Sequence, residues 1–149
     1  MTVDVVLVEA SWGDLPAILA LERQDDTREF IVPNTLEDHH QRFQDPAVTY
    51  LKVWVADQWV GFAILVLDGD GVSVELARVI IAKPRRGVGQ RAIAALEDYC
   101  RTTLGRRRLW LDVFVHNPRA RHVYEKLGYQ VFAEGTLLGK PLLYCEKPL

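Results

Sequence analysis

Apolar positions along the chain switch between the two-residue period of strands and the longer period of helices. Val3, Val5 and Leu7, with Val6 and Val8 between them, predict a first strand. Leu15, Ile18 and Leu19 form the stripe of a helix that Ser11 or Asp14 can cap, with Pro16 near its start where proline is tolerated. Gln24 to Asn34 is polar and irregular, broken by Pro33. Thr35 then caps a second short helix with Leu36 and Phe43 on its apolar face. Glu37 and Asp38 fall in its first turn, where they complement the helix dipole. Two β-rich runs follow, Val48 to Ala56 and Trp59 to Leu67, and predict a hairpin joined by Asp57-Gln58. A second tight turn, Asp68-Gly69-Asp70-Gly71, leads into a strand over Val72 to Ile81.

Beyond that strand, Ile93, Leu96, Cys100 and Leu104 recur at helical spacing, and Gly105 supplies a stop. Leu109 to Val115 predicts a fifth strand. Asn117-Pro118 opens a fourth helix, with asparagine as cap and proline at the first helical position; Gly128 ends it. Tyr129 to Ala133 and Pro141 to Glu146 predict two closing strands. Neither repeats nor linkers interrupt the pattern. The expectation is one α/β (α+β) domain over residues 1–149, a mixed and mostly antiparallel sheet of about seven strands flanked by about four helices.

Composition narrows the classes of function. A length of 149 residues, 49% hydrophobic and 26% charged, suits one soluble domain with a core of its own. Eighteen basic against twenty acidic residues give a net charge of −2, so no global field favours nucleic acid. Cys100 and Cys145 have no metal-ligand spacing and read as reduced, packed thiols. The N-terminal residues lack a signal-peptide pattern and no apolar run is long enough for a bilayer, so the expectation is a cytoplasmic protein with no membrane partner. No metal is expected either: His39 and His40 are adjacent on a helix, point different ways and have no third ligand.

The candidate chemistry begins where the fourth strand meets the long helix. Val79-Ile80-Ile81 is a buried strand end, and Arg86-Gly87-Val88-Gly89-Gln90-Arg91 follows. A strand–glycine loop–helix junction aims unpaired backbone N–H groups and the positive end of a helix dipole at one point. Glycines there remove the β-carbons that would hold an anion away, so phosphate or pyrophosphate is the natural ligand. No Gly-Lys-Ser/Thr follows, which excludes a P-loop, and the third glycine of a dinucleotide fingerprint is missing. The loop alone also fits a helix starting at a flexible turn with solvated arginines.

A second constellation runs from Leu109-Trp110-Leu111-Asp112-Val113 through Asn117 to Gly128-Tyr129, with Ala120 and Tyr124 one turn apart on the intervening helix. Together with Arg86-Gly87-Val88-Gly89, this resembles the GNAT N-acetyltransferase superfamily over nearly the whole chain. The tail Glu134-Gly135-Thr136-Leu137 resembles the branch that includes the ribosomal-protein N-terminal acetyltransferases. The resemblance implies a fourth and a fifth strand splayed around coenzyme A, and acetyl-CoA as cosubstrate. It puts the phosphate loop on Arg86, Gly87, Val88, Gly89, Gln90 and Arg91; Arg91 departs from the glycine or alanine usual there. Val79, Ile80 and Ile81 match the strand that pairs with the pantetheine arm, Asn117 the residue that hydrogen-bonds that arm, and Ala120 the small residue beside the pyrophosphate.

For the chemistry, the resemblance implies Tyr124 as the acid that protonates the leaving thiolate. It implies Glu75 as a carboxylate base, and the N–H of Ile81 as the group that stabilises the carbonyl oxygen. The expected reaction is direct transfer of an acetyl group to a primary amine in a ternary complex, since no cysteine stands at a nucleophile position. The alternative is a non-catalytic acyl-CoA-binding or regulatory module; a phosphate binder of another fold and a purely structural protein are further rivals. His116 is more simply a partner for backbone or solvent than a base, and one of His39 and His40 packs near the acceptor cleft. The acceptor, a small molecule, lysine or peptide N-terminus, and the choice between monomer and homodimer stay open.

Overall fold

A computed structural model describes residues 4–24, 34–82 and 87–149. Val3, the irregular segment 25–33, and Lys83, Arg85 and Arg86 of the glycine loop lie outside the described residues. The chain runs β1 (Val5–Glu9), α1 (Leu15–Glu22), α2 (Leu36–Phe43), β2 (Val48–Val55), β3 (Gln58–Leu67), β4 (Ser73–Ile81), α3 (Val88–Thr102), β5 (Arg108–Phe114), α4 (Pro118–Lys126), β6 (Gln130–Leu137) and β7 (Lys140–Pro148). The seven strands form one sheet in the order β1-β2-β3-β4-β5-β7-β6. Every pairing is antiparallel except β4 with β5, which is parallel. A parallel pair needs a crossover, and α3 supplies it.

The helix ends follow from local chemistry. Thr35 and Asp38 form a reciprocal capping box at α2, the Asp38 N–H donating to Thr35 Oγ1 at 3.1 Å and the Thr35 N–H to Asp38 Oδ2 at 2.9 Å. Ser11 and Asp14 make a similar clasp around a single 3₁₀ turn, Trp12–Asp14, which leads into α1. Asn117 caps α4 through the Ala120 N–H, with Pro118 at the first helical position.

The hairpin turn and the last two strands differ most from the sequence expectation, the other boundaries by no more than about two residues. The hairpin turn is Ala56-Asp57 rather than Asp57-Gln58. Both residues take positive φ, 50° and 65°, the mirror-image turn whose twist matches the flanking strands. The last two strands are longer than expected, because Glu134 to Leu137 continues the ladder with β7 as far as Leu137 opposite Lys140. Cross-strand pairing outweighs the weak strand preference of Gly135 there.

The sheet has a core on each face. Leu51, Ala63, Leu65, Val74, Leu76, Leu109 and Leu111 pack against Ile93, Leu96 and Cys100 of α3, with Ala120, Tyr124 and Leu127 of α4 alongside. Leu15 and Ile18 of α1 pack on the opposite face against Tyr50, Phe62, Ile64 and Ile80. Both cysteines are free and buried in the first of these cores, and burial pushes the Cys100 thiol up to about 12.

Candidate active site

β4 and β5 are partners for only part of their length. The parallel register covers Ser73 to Glu75 against Arg108 to Trp110 and stops. Beyond it the strands diverge, and a cavity of about 310 Å³ occupies the gap, lined by residues 76–81 of β4, by Asp112, Val113 and Phe114, and by Asn117, Ala120 and Tyr124. One cause is visible in β4. Ile64 of β3 faces Arg78 but Leu65 faces Leu76, so Ala77 is an extra residue. A bulge bends its strand and increases the local twist. It also resets the alternation: Leu76 packs on the α3 core, and after the bulge Val79 does too, whereas Ala77 and Ile80 face the α1 side.

The free edge of β4 carries usable N–H groups. The Ala82 N–H donates to Val60 O on β3, and a Cβ added at Gly61 would lie 2.1 Å from Ile80 O. Both contacts turn residues 80 and 82 toward β3. Alternation then aims the N–H groups of Val79 and Ile81 at the cavity. Only glycine at position 61 lets β3 approach so closely. Next along the chain, Gly87 starts α3 in the left-handed region at φ 83° with no side-chain cap. The Arg91 N–H is the first to find a carbonyl within the helix, that of Gly87. The N–H groups of Val88, Gly89 and Gln90 have no intrahelical acceptor, as at any helix start. A Cβ at Gly89 would meet no described atom within 4 Å. The helix start thus offers N–H donors and the positive end of a helix dipole, with no described atom crowding Gly89, which suits a phosphate.

Tyr124 lines the cavity from α4, its ring edge-on to Tyr129 with centroids 5.7 Å apart. Burial, with Cys145 and Asp112 adding to it, drives the phenol well above its usual value, so it keeps its proton throughout the neutral range. Asn117 and Ala120 share the wall, and Asn117 serves as the α4 cap at the same time.

Glu75 and Asp112 differ in placement. Glu75 sits at the paired end of β4, opposite Val66 and Trp110, and does not line the cavity. Asp112 lines the cavity from β5, and sequence reasoning assigned it no chemistry. Its alternation with buried Leu111 and Val113 was the available signal, because it turns Asp112 away from the α3 core. Desolvation raises the Asp112 carboxyl above its ordinary value, partly offset by the Arg78 charge; Glu75 is also raised, by desolvation and then by Asp112 and Asp68. His116, two residues beyond β5, lies tilted against Phe114 with ring centroids 5.0 Å apart and is not part of the cavity wall.

The two histidines of α2 part company. His40 stacks on Trp12 with centroids 4.2 Å apart. His39 is fully buried, bonded through Nε2 to Glu22 Oε1 and through Nδ1 to the Tyr50 hydroxyl at 2.7 Å. Glu22, equally buried on α1, also pairs with Arg78 of β4 and accepts from Asn34 Nδ2 at 3.4 Å. These donors overcome its desolvation and hold the carboxyl below its usual value, so it accepts only and His39 Nε2 carries the proton. Tyr50 is pushed up to about 12, chiefly by burial. This network went unread in the sequence, since Glu22, His39, Tyr50 and Arg78 come from four separate elements and Asn34 precedes α2. Among the described residues no group of three or more acidic, histidine or cysteine side chains could hold a metal, and no helix is long and apolar enough to cross a membrane.

Among the described residues, the seven-stranded sheet parts between its one parallel pair, β4 and β5, and the crossover between them carries a glycine-started helix. The sequence model of the Acetyltransferase (GNAT) family matches residues 15–129, and the chain belongs to that family. Among curated proteins it resembles an uncharacterized N-acetyltransferase, YycN, of Bacillus subtilis (strain 168), at 46% identity over 50 residues. That match covers 32% of this chain and 31% of the relative, under a third of the relative's own length. Among solved structures, a spermidine N-acetyltransferase from Vibrio cholerae in complex with CoA and spermine superimposes with a TM-score of 0.83 at 22% identity, over 97% of this chain and 95% of that one. A chimera of that organism's SpeG enzyme and hSSAT gives 0.82 at 23% identity, over 96% and 94%. These likenesses establish the fold.

Proposed function

We propose that the chain is an acetyl-CoA-dependent N-acetyltransferase that moves an acetyl group directly to a primary amine. The observation that carries this reading is the cavity between the diverging ends of β4 and β5, with a protonated phenol and a carboxylate in its wall. CoA in the complex of the Vibrio cholerae neighbour supports acetyl-CoA as the cosubstrate. Gly87, Val88, Gly89 and Gln90 would hold its diphosphate on their N–H groups, with Arg91, and Arg86 outside the described residues, as candidate countercharges. Val79, Ile80 and Ile81 would pair with the amide-bearing arm along the free edge of β4, with Asn117 and Ala120 on the other side.

In this reading Asp112 replaces Glu75 as the base. It takes a proton from the acceptor ammonium, directly or through water, and a carboxyl raised toward neutrality suits that task. The free amine then forms its N–C bond as the thioester C–S bond breaks. The Ile81 N–H stabilises the negative charge that develops on the carbonyl oxygen. Tyr124 gives its proton to the departing thiolate and recovers one from the acylated nitrogen. Across the cycle an ammonium and a thioester become an amide and a thiol, and one proton is released. Asp112 faces the α1 side of the sheet and Tyr124 the α4 side, so acceptor and coenzyme would enter from opposite faces.

The test is release of free thiol from acetyl-CoA, followed with a thiol-reactive dye, in the presence of a panel of amines. Thiol release that requires both enzyme and amine supports transfer. Saturable CoA binding without such release would identify a non-catalytic acyl-CoA-binding module instead.

A further inference from the structure

The charge lining the cavity carries information about the acceptor. Among the described residues, only two lining residues are charged: Arg78 on the β4 wall and Asp112 on the β5 wall. Arg78 is not a casual surface cation. Its side chain is 13% exposed and paired with Glu22, which is 0% exposed and itself tied to His39 and Asn34. The network spans α1, α2, β2 and β4, so the position of the Arg78 guanidinium is fixed by four elements. The bulge at Ala77 decides which way Arg78 turns, since an unbulged strand would have carried it to the opposite face.

Resting on the acetyl-transfer reading above, we propose that Arg78 determines acceptor specificity, selecting amines that also carry a carboxylate: the amino group meets Asp112 and the carboxylate meets Arg78. Amino acids and short peptides with an acidic group near the reacting amine have this chemistry. A polyamine does not, since its second ammonium would face a fixed guanidinium. Guanidinium suits this role because its planar fork matches a carboxylate and its charge does not vary with pH.

The experiment compares kcat/KM for acetyl-CoA-dependent thiol release across matched acceptors: free amino acids, the same amino acids as C-terminal amides, short peptides beginning with aspartate or glutamate, their uncharged counterparts, and spermidine. The expected result is a preference of about tenfold or more for the carboxylate member of at least one matched series, with spermidine poorer than either. The amino-acid and peptide series separate a terminal from a side-chain carboxylate. Arg78→Gln should reduce that preference to within about twofold, acting on KM more than on kcat. Arg78→Lys, which keeps the pair with Glu22 and so guards against a folding defect, should retain part of it. Equal rates for acid and amide, or a preference for spermidine, in the wild-type protein would overturn the proposal without touching the transfer reading. Absence of thiol release with every amine would overturn the transfer reading and this inference with it.

Discussion

The two faces of the β4–β5 gap are built in different ways. On the α3 and α4 side, the groups are close in sequence: Gly87 to Arg91 at one helix start, Asn117, Ala120 and Tyr124 at the next. Backbone N–H groups and one phenol dominate there, and glycine, cap and helix period position them locally. On the α1 and α2 side the groups are Glu22, His39, Tyr50, Arg78 and Asp112, drawn from five elements, and side-chain charge dominates, anchored on the buried Glu22 and His39. The first face suits a ligand that many related proteins would share. In the proposed reading the second is where an acceptor would be discriminated, because polar partners fixed in the wall penalise a ligand that leaves them unmatched.

This contrast makes predictions that differ in size. Replacing Asp112 by Asn should lower kcat by about 10²–10⁴-fold. The pH profile gives the sign: the base must be ionised, so wild-type kcat/KM falls as pH drops through the raised Asp112 value, and that acid limb should vanish in the variant. Glu22→Gln should cost about 3–5 kcal/mol of stability in denaturant titration, because it removes the buried carboxylate that both Arg78 and His39 engage. Glu22 is depressed in the folded state. Its contribution is therefore fully present above the unfolded carboxyl value of 4.5 and is lost as pH falls below that toward the folded one.

Gly89→Ala should leave stability within about 0.5 kcal/mol, since no described atom crowds the added methyl, yet weaken CoA binding by about tenfold if the diphosphate uses that space. A loss of stability with unchanged CoA affinity would mean that the glycine serves packing. Smallest of all, Glu75→Gln should change kcat by less than about threefold, as expected for a carboxylate outside the cavity wall.

The same contrast explains what was legible in the sequence. The seven strands, their succession along the chain and the start of α3 follow from periodicity, caps and glycines, all of them short-range signals; the place of β7 between β5 and β6 does not. Tyr124 and Asn117 were singled out through the family resemblance, whose motif places them at fixed spacing along α4, and both line the cavity. Asp112 was not, although its alternation with Leu111 and Val113 was plain. Its meaning depends on β4 turning away from β5 after Glu75, and that divergence is tied to the unpaired Ala77, a residue with no distinctive local signal. Glu75 came from the family resemblance, as a position where some members place a carboxylate, and the register puts it where the two strands still pair. Glu22 and His39 are separated from Arg78 by more than thirty residues, and a buried charge network of that kind emerges only once the helices dock on the sheet. The hairpin slipped by one residue because Ala56 takes a positive φ usually given to asparagine or glycine.

The central claim is that Tyr124 meets the reacting thioester in the gap between β4 and β5. Its most direct test measures turnover and CoA affinity together for Tyr124→Phe, the first by thiol release and the second by calorimetry. The account predicts turnover lower by about 10²–10⁴-fold with the dissociation constant for CoA unchanged within about threefold. Turnover equal to that of the wild-type protein would contradict it.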